Sequence, residues 1–138
     1  MIHCTAGHAP AEAVQNYFLR PKSQNGRGWN TGGYHRIIEK DGTIKKMYDF
    51  SKITNGVSGY NSDTIHISYV GGVTEKNVNI AEDTRTTEQK KAIHICIQEA
   101  IDWCKNNGQD ITNGMGVVGH RDFSKDNNSN GVIILGAY

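Results

Sequence analysis

Two histidines in this 138-residue chain stand where a metal ion could use them. His3 sits in Ile2-His3-Cys4-Thr5, which reads as a strand fragment, and His120 follows the short apolar run Met115 to Val118. Both side chains would then project from one edge of a sheet. Histidine is the commonest zinc ligand, and catalytic zinc takes three protein ligands plus an open position for water. Zinc in such a setting acidifies its water and acts as a Lewis acid on a carbonyl. A single histidine at a strand end is more often structural or solvated, and the chain contains no HExxH-type motif. Spacing alone names the candidates without deciding between metal binding and packing.

The elements that must position them follow from periodicity. Ala11, Val14, Tyr17 and Phe18 lie on one face of a helix spanning Ala11 to Leu19. Pro21 and the run Ser23 to Gly28 break it into a loop. Tyr34 to Glu39 and Thr43 to Tyr48 read as strands joined by Asp41-Gly42, the strongest hairpin signal in the chain. Asn55 to Asp63 is rich in turn residues. Thr64 to Val70, rich in β-branched and aromatic side chains and ending at Gly71-Gly72, reads as a further strand. Thr86 with Gln89 forms a capping box for a long helix. Its apolar stripe, Ala92, Ile93, Cys96, Ile97, Ala100 and Ile101, ends before Gly108. Met115 to Val118 is read as a short strand that delivers Gly119-His120-Arg121-Asp122. The pattern predicts an α/β fold: one domain over 1–138, a mixed central β-sheet flanked by helices.

Bulk properties narrow the function classes. Apolar content of 36% and charged content of 21% fit a folded globular chain rather than a disordered one. A formal charge of +1 gives no electrostatic argument for nucleic acid or an anionic membrane. No apolar run reaches the roughly 20 residues a membrane helix needs. The N-terminus lacks the layout of a signal peptide, so synthesis in the cytoplasm is expected, with access to any outside substrate by another route. Cys4, Cys96 and Cys104 are odd in number and widely spread, which implies no disulfide framework, and Cys96 reads as a small buried apolar residue.

The order of short motifs is more specific than any one of them. Ile2-His3-Cys4-Thr5-Ala6 resembles the first metal-ligand strand of the type 2 N-acetylmuramoyl-L-alanine amidases, the family of phage lysozyme-type amidases and peptidoglycan recognition proteins. Gly28-Trp29, Gly33-Tyr34-His35-Arg36-Ile37-Ile38 and Asp41-Gly42-Thr43 are similar to its next signatures. Asn55-Gly56-Val57, Gly59-Tyr60-Asn61, Thr64-Ile65-His66-Ile67 and Val70-Gly71-Gly72 resemble its central strand and flanks. Thr86-Glu88-Gln89 resembles the start of its long helix, and Val118-Gly119-His120-Arg121-Asp122 its second histidine motif. The resemblance implies that His3 and His120 are zinc ligands and that Tyr34 stands beside the metal, polarising the amide carbonyl or orienting water. It implies peptidoglycan or a muropeptide as partner, and hydrolysis of the bond between N-acetylmuramic acid and L-alanine, in the manner of a phage or prophage endolysin.

Three features depart from the family pattern. Its third ligand, a cysteine or aspartate after the second histidine and close behind a catalytic lysine, has no counterpart in the segment 123–138, which contains no cysteine. The first strand also starts abruptly, so the domain is read as shortened at both ends. Lys125 and Asp126 are stand-ins whose spacing does not match. His66 occupies a place where the family has a small residue; it either fills space near the metal or points to the opposite face, and packing is the preferred reading. Asp126, Asn128 and Asn130 before Gly131 copy the front of a calcium loop, but Ala137 replaces the closing acid, so a polar turn is expected. A peptidoglycan-binding module without catalysis and a non-functional amidase fragment therefore stay open as alternatives. Oligomeric state is open as well.

Overall fold

Thr86 and Gln89 begin the longest helix as a reciprocal pair. In the computed structural model, which describes residues 1–109 and 116–123, Gln89 N donates to the Thr86 hydroxyl at 3.0 Å and Thr86 N donates to Gln89 Oε1 at 3.0 Å. Two of the N–H groups that a helix start leaves unpaired are thus satisfied, as the capping box predicts. Helix α2 then runs Thr87–Asn106. Gln89 is fully buried, and its Nε2 donates to Val70 O at 2.9 Å, which fastens the cap to the sheet. The Thr86 hydroxyl passes its own proton to Lys40 O at 2.7 Å.

Lys40 belongs to the hairpin between β2 (Arg36–Ile38) and β3 (Ile44–Lys46). Gly42 N donates to Glu39 O at 2.9 Å, and Gly42 sits at φ 87°, a region L side chains avoid. A Cβ there would also press on Glu88 at the start of α2, 2.8 Å from its Cβ. Hairpin and helix can pack this closely only because residue 42 is glycine.

The remaining strands are β1 (Ile2–Cys4) and β4 (Ile67–Tyr69), and the order across the sheet is β1-β4-β2-β3. β1 and β2 both run parallel to β4, and β3 is antiparallel to β2. With α1 (Ala11–Leu19) added, this is the mixed sheet flanked by helices that the sequence implied. The strands are shorter than the periodicity suggests, for a reason seen at their N-terminal ends. His35 N and Arg36 N both donate to His66 O, at 2.8 and 3.4 Å, and His66 N donates to the His35 ring rather than to a carbonyl. A side chain has taken a place in the ladder, and regular pairing starts only beyond it.

Alternation divides the sheet into two faces. Ile2, Ile38, Ile67 and Tyr69 point one way and pack against Ala92, Ile93 and Cys96 of α2. Burial raises the Cys96 thiol to about 11, in keeping with its role as an apolar filler. Arg36 shares that face and donates to Glu99 of α2 at 2.9 Å. Ile37 and Val70 point the other way, against Ala11, with Val14 of α1 beside them.

The expected strand at Met115 to Val118 is corrected. Met115 lies outside the described residues, and 116–118 form no strand; the contact with the sheet is one parallel bridge, Ile2 to Gly119, with Ile2 N donating to Val118 O at 2.8 Å. Asp122 explains the interruption. Its carboxylate accepts from Gly119 N at 2.8 Å, taking the donor a ladder would need and turning the chain into the short 3-10 helix His120–Phe123. Among the described residues no helix is long and apolar enough to cross a membrane.

Candidate metal centre

His3 is the second residue of β1, so it faces away from α2, on the same side as Ser68, its register partner on β4. His66 precedes Ser68 by two positions and therefore lies on that face too. The bridge at Gly119 brings His120 alongside. Three imidazoles meet as a result: His3 Nδ1 is 2.9 Å from His120 Nδ1, and His3 Nε2 is 2.9 Å from His66 Nδ1. The structure thus joins the two candidate ligands across 117 residues of sequence. It also settles the face of His66, which lies beside His3 and not on the far side of the sheet.

Burial governs the protonation of this cluster. His3 is 2% exposed, and burial, reinforced by the neighbouring imidazoles, lowers its pKa to about 2. His66, fully buried, is lowered to about 3 for the same leading reason. His120 opens to solvent but is lowered as well, by partial burial. Neutral imidazoles are the form that binds metal.

Tyr34 completes the floor of the site. Its ring stands 5.0 Å from that of His3, centroid to centroid, and 5.4 Å from Phe18 of α1. Phe18 in turn stacks on Trp29 at 5.1 Å, so α1 and the following loop hold the tyrosine ring from behind. Burial pushes the Tyr34 phenol up to about 12, with the Ser68 hydroxyl pulling weakly the other way, so it stays a hydrogen-bond donor at neutral pH. Above His120 a groove of about 650 Å³ runs between Trp29 and Thr31 on one side and Asn55, Val57 and Asn61 on the other. A second cleft, about 440 Å³, lies by His8, Glu39 and Lys45 and shares no lining residue with the first.

The residues present fit a zinc ion in one respect that the geometry makes specific. Two nitrogens, each about 2.0–2.1 Å from a tetrahedral zinc, stand roughly 3.3 Å apart. The Nδ1 atoms of His3 and His120 are close to that separation already. Among the described residues no group of three or more His, Cys, Asp or Glu side chains is placed to hold a metal. His66 is not a third ligand, because it faces the opposite nitrogen of His3. Lys125, Asp126 and the calcium-like run through Gly131 lie outside the described residues.

Comparison with known proteins agrees with the motif order. The family model for N-acetylmuramoyl-L-alanine amidase matches residues 1–131. The chain belongs to that amidase family. An endolysin of Enterobacteria phage K11 is 32% identical over 99 residues, a match covering 71% of this chain and 62% of that relative. The chain thus spans less than two thirds of the relative's length. Among solved structures, a complex of tracheal cytotoxin with the ectodomains of peptidoglycan recognition proteins LCa and LCx superposes with a TM-score of 0.66 at 22% identity, covering 89% of this chain and 69% of that one. An endolysin of the Thermus scotoductus bacteriophage Ph2119 gives 0.60 at 24% identity, with 90% and 71% covered. At such identities the two structures establish the shared fold.

Within this amidase fold, sequence reading left Asn61 and the role of His66 unassigned: it held His66 as either filling space near the metal or facing away. Asn61 Oδ1 lies 2.9 Å from His66 Nε2 and also accepts from Val57 N at 2.8 Å. Two signals in the sequence pointed to them. Positions 66, 68 and 70 alternate onto the face that carries His3, and Gly56 leaves the space His66 fills: a Cβ at residue 56 would overlap the imidazole.

Proposed function

We propose that this chain hydrolyses the amide between N-acetylmuramic acid and L-alanine in peptidoglycan, with zinc held by His3 and His120 and with Tyr34 as a catalytic residue. The observation that carries the reading is the 2.9 Å approach of two Nδ1 atoms from opposite ends of the chain, at the foot of an open groove. Zinc bound there would supply a Lewis acid and an acidified water. The chain's own residues supply the rest. His3 is fixed by the sheet and by His66, so its lone pair is aimed before any ligand arrives. Tyr34, held protonated and braced by Phe18, can donate its hydroxyl to the carbonyl oxygen as negative charge develops there. Trp29 and the loop 55–58 line an open groove of about 650 Å³, and the polar side chains along it suit a substrate rich in amide and hydroxyl groups. The relatives' names support this substrate class: endolysins, and recognition proteins whose solved complex holds tracheal cytotoxin.

Two measurements on one preparation test the reading: zinc content, and release of new N-terminal alanine from purified peptidoglycan. About one zinc per chain and chelator-sensitive alanine release are expected. Tyr34→Phe should keep the metal and lose on the order of a hundredfold or more in turnover, as removal of one oxyanion donor does. Equal rates for the two proteins would make Tyr34 a bystander. Calorimetric binding of a muramyl peptide without alanine release would favour the binding-module reading instead.

A further inference from the structure

The groove side of the sheet contains one chain of hydrogen bonds whose direction is set from a single end. The backbone N–H of Val57 can only donate, so the oxygen it meets, Asn61 Oδ1, is an acceptor. The same oxygen lies 2.9 Å from His66 Nε2, which must therefore carry the proton. A neutral His66 then presents a lone pair at Nδ1, towards His3 Nε2 at 2.9 Å. That nitrogen of His3 in turn donates, and the lone pair of His3 falls on Nδ1, facing His120.

We propose that His66 is a positioning residue, relaying the orientation of Asn61 to His3 so that His3 presents Nδ1 to a metal. The inference rests on the zinc reading above for its consequence, but not for its geometry. Metal-bound histidines characteristically donate their other ring N–H to an acceptor, which fixes the tautomer and the ring plane and raises ligand basicity. Here the acceptor is a second histidine, itself held by an asparagine, in place of a carboxylate or carbonyl. The arrangement depends on Gly56, since a Cβ at that position would occupy the place of the His66 ring. It also depends on His35. Its Nδ1 accepts from His66 N at 3.0 Å while its Nε2 donates to Lys52 O at 2.7 Å, so the backbone carrying His66 is pinned as well. Loss of such an outer partner costs about 10–100-fold in metal affinity.

Two readouts separate this proposal from the zinc reading. In metal-free protein, nitrogen-15 NMR of the imidazole rings should show His3 and His66 both protonated at Nε2. A proton on Nδ1 of either histidine would overturn the relay, whether or not zinc binds. Zinc affinity, measured by chelator competition on folded protein, should fall about 10–100-fold in His66→Leu and in Gly56→Ala. It should recover most of that loss in His66→Gln, whose amide oxygen can accept from His3 Nε2. Affinity unchanged in His66→Leu, or equally poor in His66→Gln and His66→Leu, would show that His66 only fills space. A wild-type protein that binds no zinc but keeps the two Nε2 protons would sink the proposed function and leave the relay standing.

Discussion

The two faces of the central sheet receive the same alternating strands and put them to opposite use. On the α2 face Ile2, Ile38, Ile67 and Tyr69 meet Ala92, Ile93 and Cys96, and apolar burial fills the space. On the other face only Ile37 and Val70 are covered by α1, through Ala11 and its neighbours. The rest of that face carries His3, Ser68 and His66, buried against one another, Tyr34 and His120. The sheet thus packs apolar side chains on one face and gathers polar ones on the other, where His120 adjoins the groove. The difference also explains how two buried histidines diverge. His35 and His66 are both fully buried, and their rings lie 6.1 Å apart. The short contacts of the His35 ring are to backbone, with the Thr54 hydroxyl 3.5 Å from its Nδ1, whereas the His66 ring meets side chains that lead to the groove.

Breaking the comparison requires variants that affect one face and spare the other. His120→Ala should have the largest effect: complete loss of bound zinc, with the stability of the metal-free protein within about 0.5 kcal/mol of wild type because the side chain is exposed. Metal retained in this variant, measured by elemental analysis, would remove His120 from the site. Ile38→Ala acts on the other face. It empties a fully buried position against α2 and should cost about 2–5 kcal/mol in denaturant unfolding, while zinc affinity of the folded fraction stays near wild type. A matching fall in affinity would show that the faces are coupled.

Acid should find the polar face first. In the unfolded chain histidines titrate near 6.5, but in the fold burial lowers His3 to about 2 and His66 to about 3. Throughout that interval the unfolded state binds more protons. The stability of the chelated protein should therefore be full above about pH 6.5 and decline as pH falls towards 3. Thermal midpoints across that range would show it, and a flat profile between pH 7 and 4 would mean the histidines are hydrated in solution. The smallest effect is expected at the cap: Thr86→Ala should cost about 1 kcal/mol. A null result there would mean that water serves Gln89 N and Lys40 O as well as the hydroxyl does.

What the sequence made legible follows the same division. Helix α1, the capping box, the hairpin glycine and the sheet class could all be read because each rests on local pattern: 3.6-residue spacing, Thr86 with Gln89, Asp41-Gly42. Motif order named His3, Tyr34 and His120 as candidates, and the structure brings their rings together. The shortened strands could not, because a ring nitrogen of His35 replaces a carbonyl in the ladder, and no periodicity records that. The strand expected before His120 failed for a similar reason, since Asp122 captures the amide that pairing needed. The roles of His66, which the sequence singled out, and of Asn61 escaped because they depend on which nitrogen faces which atom. Alternation from Ser68 could have placed His66 on the right face, but not its tautomer.

The bridge between Ile2 and Gly119 has a consequence in time as well as in space. The ribosome makes His120 later than His3 by 117 residues; at about 5–20 residues per second that interval is on the order of ten seconds. No partner for His3 Nδ1 exists until then. β1 itself waits for β4, since Ile2 pairs with Ile67, its nearest strand partner among the described residues. Long-range parallel pairings of this kind are slow to close. A metal centre built across them would arise only once the sheet is complete, so zinc would act as a seal on a finished fold rather than a seed for it.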